Sequence, residues 1–257
     1  MTIGLIGHTV IDTVVGADGS ESRRLGGTPL YARRALQAAG ADSVVVTRGA
    51  DPGDALVVPG GPAYDSRLDH RAGTKQVLAR FGLPFSPTET VALVLPAVRA
   101  CGWLHLGPQS AGEFPAQTLA LLLGAGHSLC LDGQGPARGF DPGPVRLRPF
   151  PPRDIAGVSI LKLNRAEAEA ASGGRLDREA LLGLGAPEVV VTMGADGVVA
   201  ATEEGVWEVP GTGTGEYADP TGAGDCWTAA YLLARSHGQS PAVAAAAAQV
   251  QTDHIYR

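Results

Sequence analysis

Short apolar runs alternate with longer amphipathic segments along most of this chain. The apolar runs are bounded by glycine, proline or polar residues, which predicts buried strands at 3–6, 43–47, 103–108, 128–132, 159–164 and 189–193. Between and after them, apolar residues at helical spacing predict helices at 29–39, 88–100, 113–123, 222–236 and 241–252. Strands that alternate with helices in this way predict a doubly wound α/β fold.

Two polar segments interrupt this alternation and predict β-hairpins. One surrounds Ala17-Asp18-Gly19-Ser20 and the other surrounds Arg71-Ala72-Gly73, each with flanks of alternating character. The second is too polar for a pair of core strands. Together the segments at about 12–25 and 62–80 are predicted to form a small sheet over the ligand crevice. The stretch at 138–153 is rich in proline, arginine and glycine and predicts an irregular loop.

Composition narrows the class of protein. With 257 residues, 44% of them apolar and 18% charged, the chain is predicted to be a single globular domain over 1–257. The formal net charge of -6 argues against a nucleic-acid partner, because phosphate backbones need a basic face. No apolar stretch is long enough to span a membrane, and no export signal is evident. Three cysteines without Cys-x-x-Cys spacing predict buried thiols in a cytoplasmic protein.

The sequence Asp-Pro-Thr-Gly-Ala-Gly-Asp at 219–225 leads into an alanine-rich helical run. Small residues let backbone N–H groups crowd together, and a helix that begins there directs its positive dipole end at the same point. Such a turn predicts an anion site, most often for phosphate. A lone aspartate at 225 would simply stabilise the helix dipole. Beside glycines and a second acid it is also a candidate general base, with an anion hole formed by the amides of Gly222, Ala223 and Gly224.

This motif resembles the C-terminal signature of the PfkB/ribokinase family of carbohydrate kinases. Further stretches resemble that family along nearly the whole chain, namely the strand before Asp12, Gly26-Gly27, the segment from Asn164 to Glu167, and the segment from Thr192 to Gly194. The resemblance implies a ribokinase-like α/β/α sandwich of three layers, with a small β lid built from the two hairpins. Tyr31, together with Asp-Gly-Gln-Gly at 132–135, is similar to family members that act on cyclic polyols such as inositol.

The acceptor side is predicted around the first strand. Asp12 comes shortly after that strand, where the ligand crevice lies in this fold class, and a carboxylate can accept two hydrogen bonds from a diol. A solvated turn residue is the plain alternative. The resemblance implies that Asp12 holds substrate hydroxyls and that Gly26 and Gly27 lie against the substrate. Ribose kinases of the family have asparagine where this chain has Tyr31, which argues against ribose as the acceptor.

The sequence supports weaker predictions for three other polar residues near strand ends: Asp132, Gln134 and His8. Asp132 and Gln134 follow the strand at 128–132 and are secondary candidates for substrate contacts, with a cap and a surface amide as the plain alternatives. His8 is predicted to be structural, because no partner for it is evident in the sequence.

Asn164 and Glu167 have the spacing of a helix capping box, which is the structural interpretation of the pair. The resemblance implies that the same two side chains organise Mg²⁺ and its waters, and both roles are compatible. It also implies a nucleotide side that binds ATP, with a monovalent cation as a further candidate. The residues assigned to that side are Lys162, Asn164, Thr192, Gly194, Asp219 and Thr221.

Two other enzyme classes fit the element pattern but lack their motifs. The first strand has no Gly-x-Gly-x-x-Gly fingerprint of a dinucleotide-binding dehydrogenase, and no Gly-Lys-Ser/Thr of a P-loop NTPase occurs anywhere. The sequence therefore predicts an ATP-dependent kinase that phosphorylates an alcohol of a sugar, polyol or nucleoside-like molecule, with Asp225 as the base. A non-catalytic nucleotide or metabolite sensor on the same fold is the alternative. The sequence leaves open the acceptor, the residue against adenine, and whether the protein is a monomer or a homodimer.

Overall fold

The computed structural model describes residues 2–16, 18–69, 71, 75–139, 142–212, 217 and 219–256. In that part of the chain the strands of the larger sheet are β1 (Ile3–His8), β4 (Ser43–Arg48), β5 (Leu56–Val58), β8 (Trp103–Gly107), β9 (Ser128–Asp132), β11 (Ile160–Asn164), β12 (Glu188–Thr192), β13 (Gly197–Thr202) and β14 (Gly205–Pro210). The smaller sheet contains β2 (Val10–Val15), β3 (Glu21–Gly26), β6 (Tyr64–Asp69), β7 (Lys75–Arg80) and β10 (Gly143–Pro144).

Helices flank the larger sheet. They are α1 (Thr28–Ala38), α2 (Pro87–Glu89), α3 (Leu95–Val98), α4 (Ala116–Gly124), α5 (Gln134–Ala137), α6 (Arg165–Ser172), α7 (Arg178–Leu182), α8 (Ala223–Ser236) and α9 (Pro241–Tyr256). A π-helical stretch at Thr90–Val94 joins α2 to α3, and 3-10 turns occur at Pro152–Ile155 and Gly194–Asp196. Among the residues described, no helix is long and apolar enough to cross a membrane.

The larger sheet has the strand order β14-β13-β12-β11-β9-β8-β1-β4-β5. Neighbours from β12 through β5 are parallel, and β13 and β14 extend the sheet as antiparallel strands. Side chains alternate between its two faces, so that Leu5 packs with α1, α8 and α9, whereas Ile6 packs with the layer that contains α4 and α7. Two apolar layers thus enclose a buried parallel sheet, which confirms the predicted α/β/α sandwich.

The predicted strands and helices are present, with some shifted ends. The helix predicted at 113–123 begins only at Ala116, after Pro115, which leaves Glu113 free to accept hydrogen bonds from a buried loop. The stretch at 138–153 is not wholly irregular, because Gly143–Pro144 pairs with β7 at the edge of the smaller sheet. All three cysteines are buried and free, as predicted.

The smaller sheet begins where β1 ends. Only Thr9 separates β1 from β2, and the order of the sheet is β10-β7-β6-β2-β3. β2 pairs antiparallel with β3, and β6 pairs antiparallel with β7, at the two segments in which hairpins are predicted. Parts of the connecting turns, at 17 and 72–74, and most of the glycine-rich connection at 211–215 lie outside the described residues. The acceptor-side candidates Asp12, Gly26 and Gly27 belong to the first strands of the smaller sheet and the residue that follows them, close to the end of β1.

Candidate active site

Helix α8 begins at the predicted anion-binding turn. Gly222 is its N-cap, with a left-handed φ of 81°, and Asp225 lies in the first helical turn. A side chain at 222 would be strained at this φ, and its Cβ would lie 2.2 Å from Cγ of Tyr31. The N–H of Ala223 donates to the carbonyl of Pro220 at 3.0 Å, so it is partly used inside the turn. The start of α8 therefore depends on glycine at 222 for two separate reasons.

Asp225 is held by a side chain from the other end of the chain. The Thr28 hydroxyl, at the start of α1, donates to Oδ1 of Asp225 at 2.7 Å. Burial, followed by the nearby negative charge of Asp132, raises the pKa of Asp225 to about 6. A carboxylate with a pKa in this range can accept a proton near neutral pH, which suits a general base.

A cavity of about 170 Å³ opens beside Asp225. It lies between β2, β6 and β7 of the smaller sheet, the start of α1, and the turn before α8. Four residues predicted to contact substrate line it: Asp12, Gly27, Tyr31 and Gln134. Gly26 adjoins it, since a Cβ there would lie 2.4 Å from Oδ2 of Asp12. We call this space the acceptor cavity.

Asp12 lies within strand β2, in the first of the two segments predicted to form hairpins, and not in a solvated turn. Burial raises the pKa of Asp12 to about 6, although hydrogen bonding to Ser66 and the charge of Arg24 both act to lower it. The Tyr31 hydroxyl donates to Oδ2 of Asp12 at 3.4 Å. Asp12 and Tyr31 together present a carboxylate and a phenol to one wall of the acceptor cavity.

Three polar residues of the acceptor cavity are missing from the predicted set. Gln76 and Arg138 also line it, but they lie in segments interpreted as a solvated hairpin and a loop. Gln109 follows the end of β8 and also lines the cavity. Because ligands bind at the carboxyl ends of strands in this fold class, its position in the sequence could have identified it. The Arg138 guanidinium donates to the Gln109 side-chain oxygen at 3.4 Å. These side chains make the far wall of the cavity polar and partly cationic.

A second cavity, of about 130 Å³, lies on the other side of the same turn. Thr192 and Gly194, both assigned to the nucleotide side, line it together with Ala223 and Gly224 of the turn. Helix α9 contributes Gln249, Thr252 and Asp253, in the region where the sequence left the adenine contact open. We call this space the donor-side cavity.

Asp219 and Thr221, both assigned to the nucleotide side, lie in the turn before α8. Asp219 accepts from the backbone N–H of Thr221 at 3.0 Å and pairs with Arg24 of β3 at 2.5 Å. Burial raises the pKa of Asp219, but the hydrogen bonds from Arg24 and Thr221 and the charge of Arg24 together outweigh burial and lower the pKa to about 2. Thr221 lines the acceptor cavity, and neither residue lines the donor-side cavity. Thr221 therefore faces the acceptor cavity, Asp219 is tied to β3, and their contact with a nucleotide stays a prediction.

Asn164 and Glu167 form the predicted capping box. The Asn164 side chain accepts from the Glu167 N–H at 2.9 Å, and Glu167 accepts from the Asn164 N–H at 2.9 Å. Within the described residues, no group of three or more His, Cys, Asp or Glu could hold a metal ion. Nearby, the buried Lys162 ammonium lies under the turn, since a Cβ at Gly224 would be 3.0 Å from its Nζ.

Asp132 and His8 are both buried beneath the acceptor cavity. Asp132 is 2% exposed, bonds to His105 at 2.7 Å and does not line the cavity, in contrast to its neighbour Gln134. His8 does have a partner, because its Nδ1 lies 2.7 Å from Oε2 of Glu113. The sequence could not reveal this pair, since 105 positions separate the two residues.

The C-terminal part of the chain matches a known protein family. Residues 147–251 match the model of the pfkB family of carbohydrate kinases. This C-terminal part of the chain is similar to the PfkB carbohydrate kinases. A curated relative, 1-phosphofructokinase of Haloferax volcanii, is 36% identical over 95 residues, which cover 34% of this chain and 31% of the relative. The match therefore spans about a third of that relative's length.

Solved structures show the same fold over the whole chain. A pyrophosphate-dependent kinase of the ribokinase family, complexed with a pyrophosphate analogue and myo-inositol, has a TM-score of 0.85 at 22% identity and covers 99% of this chain and 95% of its own. The ribokinase of Arabidopsis thaliana, complexed with ribose and ATP, has a TM-score of 0.69 at 19% identity, with 96% and 91% covered. The predicted resemblance to the PfkB/ribokinase family and its fold is confirmed.

Proposed function

We propose that the protein is an ATP-dependent kinase that phosphorylates an alcohol of a sugar or polyol. One observation carries this proposal. The turn at 222–225 separates two cavities, with Gly222 and Asp225 lining the acceptor cavity and Ala223 and Gly224 lining the donor-side cavity. A phosphoryl group passing between the cavities would cross the start of α8, where a helix N-terminus favours negative charge.

Asp225 is proposed as the general base. Its carboxylate takes the proton of the acceptor hydroxyl, while the Thr28 hydroxyl, bonded at 2.7 Å, fixes which oxygen faces the acceptor. The backbone amides of 222–224 stabilise the charge of the transferred phosphoryl group, with Ala223 contributing less because Pro220 already accepts its N–H. Positioning and charge stabilisation are the main requirements of phosphoryl transfer.

The donor-side residues fit a phosphate-rich ligand with Mg²⁺. Thr192 and Gly194 line the donor-side cavity, and Lys162 places a buried ammonium under the turn. Mg²⁺ keeps most of its waters, so Asn164 and Glu167 can hold the ion through those waters. Their capping bonds can remain, because each side-chain oxygen can accept a further hydrogen bond. When bound, the ion supplies charge neutralisation at the phosphate oxygens.

The acceptor cavity favours a polyhydroxylated ring. Asp12, Tyr31, Gln76, Gln109 and Gln134 offer hydrogen-bonding groups on several sides of a volume of about 170 Å³. The complex of the similar ribokinase-family kinase with myo-inositol supports a cyclic polyol as the acceptor class.

Pyrophosphate is a second candidate for the phosphoryl donor. The donor-side cavity, at about 130 Å³, is smaller than the 300–1,000 Å³ that is usual for pockets of larger ligands. The kinase with the TM-score of 0.85 is pyrophosphate-dependent, which supports the same donor here.

The test is a transfer assay with ATP, GTP and pyrophosphate against sugars, sugar phosphates, inositols and nucleosides. We expect Mg²⁺-dependent transfer to at least one polyol, and a loss of roughly 100-fold or more in turnover for Asp225→Asn. Asp42→Asn, at an exposed position, is the matched control and should keep wild-type turnover. Unchanged turnover in the Asp225 variant would remove the base assignment. If calorimetry detects ligand binding but no acceptor in the panel is phosphorylated, the result would favour the alternative of a non-catalytic sensor.

A further inference from the structure

Asp132 joins three buried groups below the turn at 222–225. Its Oδ2 lies 2.7 Å from Nε2 of His105, and its Oδ1 lies 3.7 Å from Nζ of Lys162 and 3.2 Å from the Thr228 hydroxyl. The side chains of His105 and Asp132 are 0% and 3% exposed. A carboxylate so enclosed is retained only when its partners compensate the cost of burial.

Both remaining partners of Asp132 touch the turn itself. The Thr228 hydroxyl is 2.9 Å from the carbonyl oxygen of Gly224. The Lys162 ammonium stands directly under Gly224, where a Cβ would be only 3.0 Å from Nζ. Asp132 is therefore linked to the backbone next to Asp225 through a single intervening side chain, that of Thr228 or Lys162. Asp132 itself does not line the acceptor cavity.

We propose that Asp132, held by His105, is a positioning residue for Asp225: it fixes Lys162 and Thr228 beneath Gly224, and its negative charge strengthens Asp225 as a proton acceptor. This inference rests on the proposed kinase function for its catalytic meaning. The predicted substrate contact by Asp132 is the alternative role that the kinetic test below distinguishes.

The charges around Asp225 support this role. After burial, Asp132 is the main group that raises the pKa of Asp225, whereas Lys162 and His105 lower it. Although burial raises the pKa of Asp132, the charges of His105 and Lys162 hold it below its ordinary value, so Asp132 is ionised. Three neighbours of Asp225 on α1, α8 and α9 have raised pKa values and are neutral near pH 7: Tyr31, Cys226 and Tyr256. Asp12 and Arg138 line the acceptor cavity together with Asp225.

The experiment measures the protonation of Asp225 directly and needs no turnover. Protein labelled with ¹³C at the aspartate carboxyl carbons is titrated by NMR, and the resonance that disappears in Asp225→Asn assigns Asp225. Asp132→Asn removes a negative charge, so we expect the Asp225 midpoint to fall by roughly one pH unit. His105→Gln removes a group whose charge lowers the pKa of Asp225, so we expect its midpoint to rise.

Opposite shifts in the two variants support the proposal, because simple loosening and hydration of the site would lower both midpoints. Unchanged midpoints, or shifts in the same direction, overturn it. Asp42→Asn is the matched control and should leave the midpoint in place. If Asp132→Asn does not fold, His105→Gln alone decides, and a midpoint that does not rise overturns the proposal.

Kinetics add a second readout once an acceptor is known. In Asp132→Asn we expect kcat to fall with KM for the acceptor nearly unchanged, and the acid limb of the pH profile to move to lower pH. A raised KM with an unchanged pH profile would instead make Asp132 a substrate contact. If wild-type protein transfers phosphate to no acceptor, the kinase function fails, while the NMR result still reports whether Asp132 controls Asp225.

Discussion

The aromatic ring of Tyr31 lies directly against the Cα of Gly222. A Cβ built on Gly222 would be 2.2 to 2.5 Å from the ring carbons Cγ, Cδ1 and Cδ2. The ring thus covers the turn that begins α8, while its hydroxyl reaches Asp12 at 3.4 Å. One side chain therefore connects the acceptor cavity to the turn at 222–225.

Replacement of Gly222 by alanine tests this contact. The left-handed φ of 81° and the clash with Tyr31 should together lower the free energy of unfolding by roughly 1–3 kcal/mol. Urea denaturation would measure the loss. Gly124→Ala is the matched control, because a Cβ at 124 meets nothing within 4 Å and α4 ends there. Equal stability of the two variants would contradict the arrangement.

The ion pair between Arg24 and Asp219 ties β3 to the turn before α8. Both side chains are 37% exposed, so we expect Arg24→Gln to change global stability by less than about 1 kcal/mol. Amide hydrogen exchange in Glu21–Gly26 should nevertheless become faster, because the strand loses its tether. Arg175→Gln breaks an exposed ion pair with Asp177, outside both β3 and the turn, and serves as the control. Identical exchange in wild type and Arg24→Gln would show that the pair does not restrain β3.

The raised pKa of Asp225 predicts a pH-dependent stability difference. Between its ordinary value of 3.8 and about 6, the folded protein keeps a proton that the unfolded chain has released. Ionised Asp225 therefore destabilises the fold as pH rises through this window. Relative to wild type, Asp225→Asn should gain up to roughly 3 kcal/mol in unfolding free energy between pH 4 and 7. Denaturation at several pH values would measure it, and a difference independent of pH would contradict the raised pKa.

Glu113 anchors strand β6 beneath the acceptor cavity. Its Oε1 accepts from the N–H groups of Gln109 and Ser110 at 2.7 Å each and from the Tyr64 hydroxyl at 2.5 Å. Glu113→Gln would set an amide against some of these donors and should cost roughly 2–4 kcal/mol of stability. Glu169→Gln, on an exposed face of α6, should be nearly neutral in the same urea titration. A neutral Glu113 variant would show that the buried network contributes little.

Local patterns in the sequence were enough to predict the fold class, the glycine turn that begins α8 and the capping box. These features depend on neighbours in the chain: strand and helix periodicity, small residues before a helix, and a side chain that caps an amide three positions away. The position of Asp225 in the first turn of α8 belongs to the same group, because only the residues from 222 onward decide it.

Contacts between distant segments were decided only by the tertiary structure. Asp132 and Asp219 are acids near a predicted crevice. In the structure, Asp132 pairs with His105 and Lys162, whereas Asp219 pairs with Arg24. Which partner a charged group finds depends on the crossing of strands far apart in the chain, and no local pattern records it. The sequence by itself determined which residues could bind an anion or accept a proton; only the packing of the two sheets decided which of them face a cavity and which lie buried beneath it.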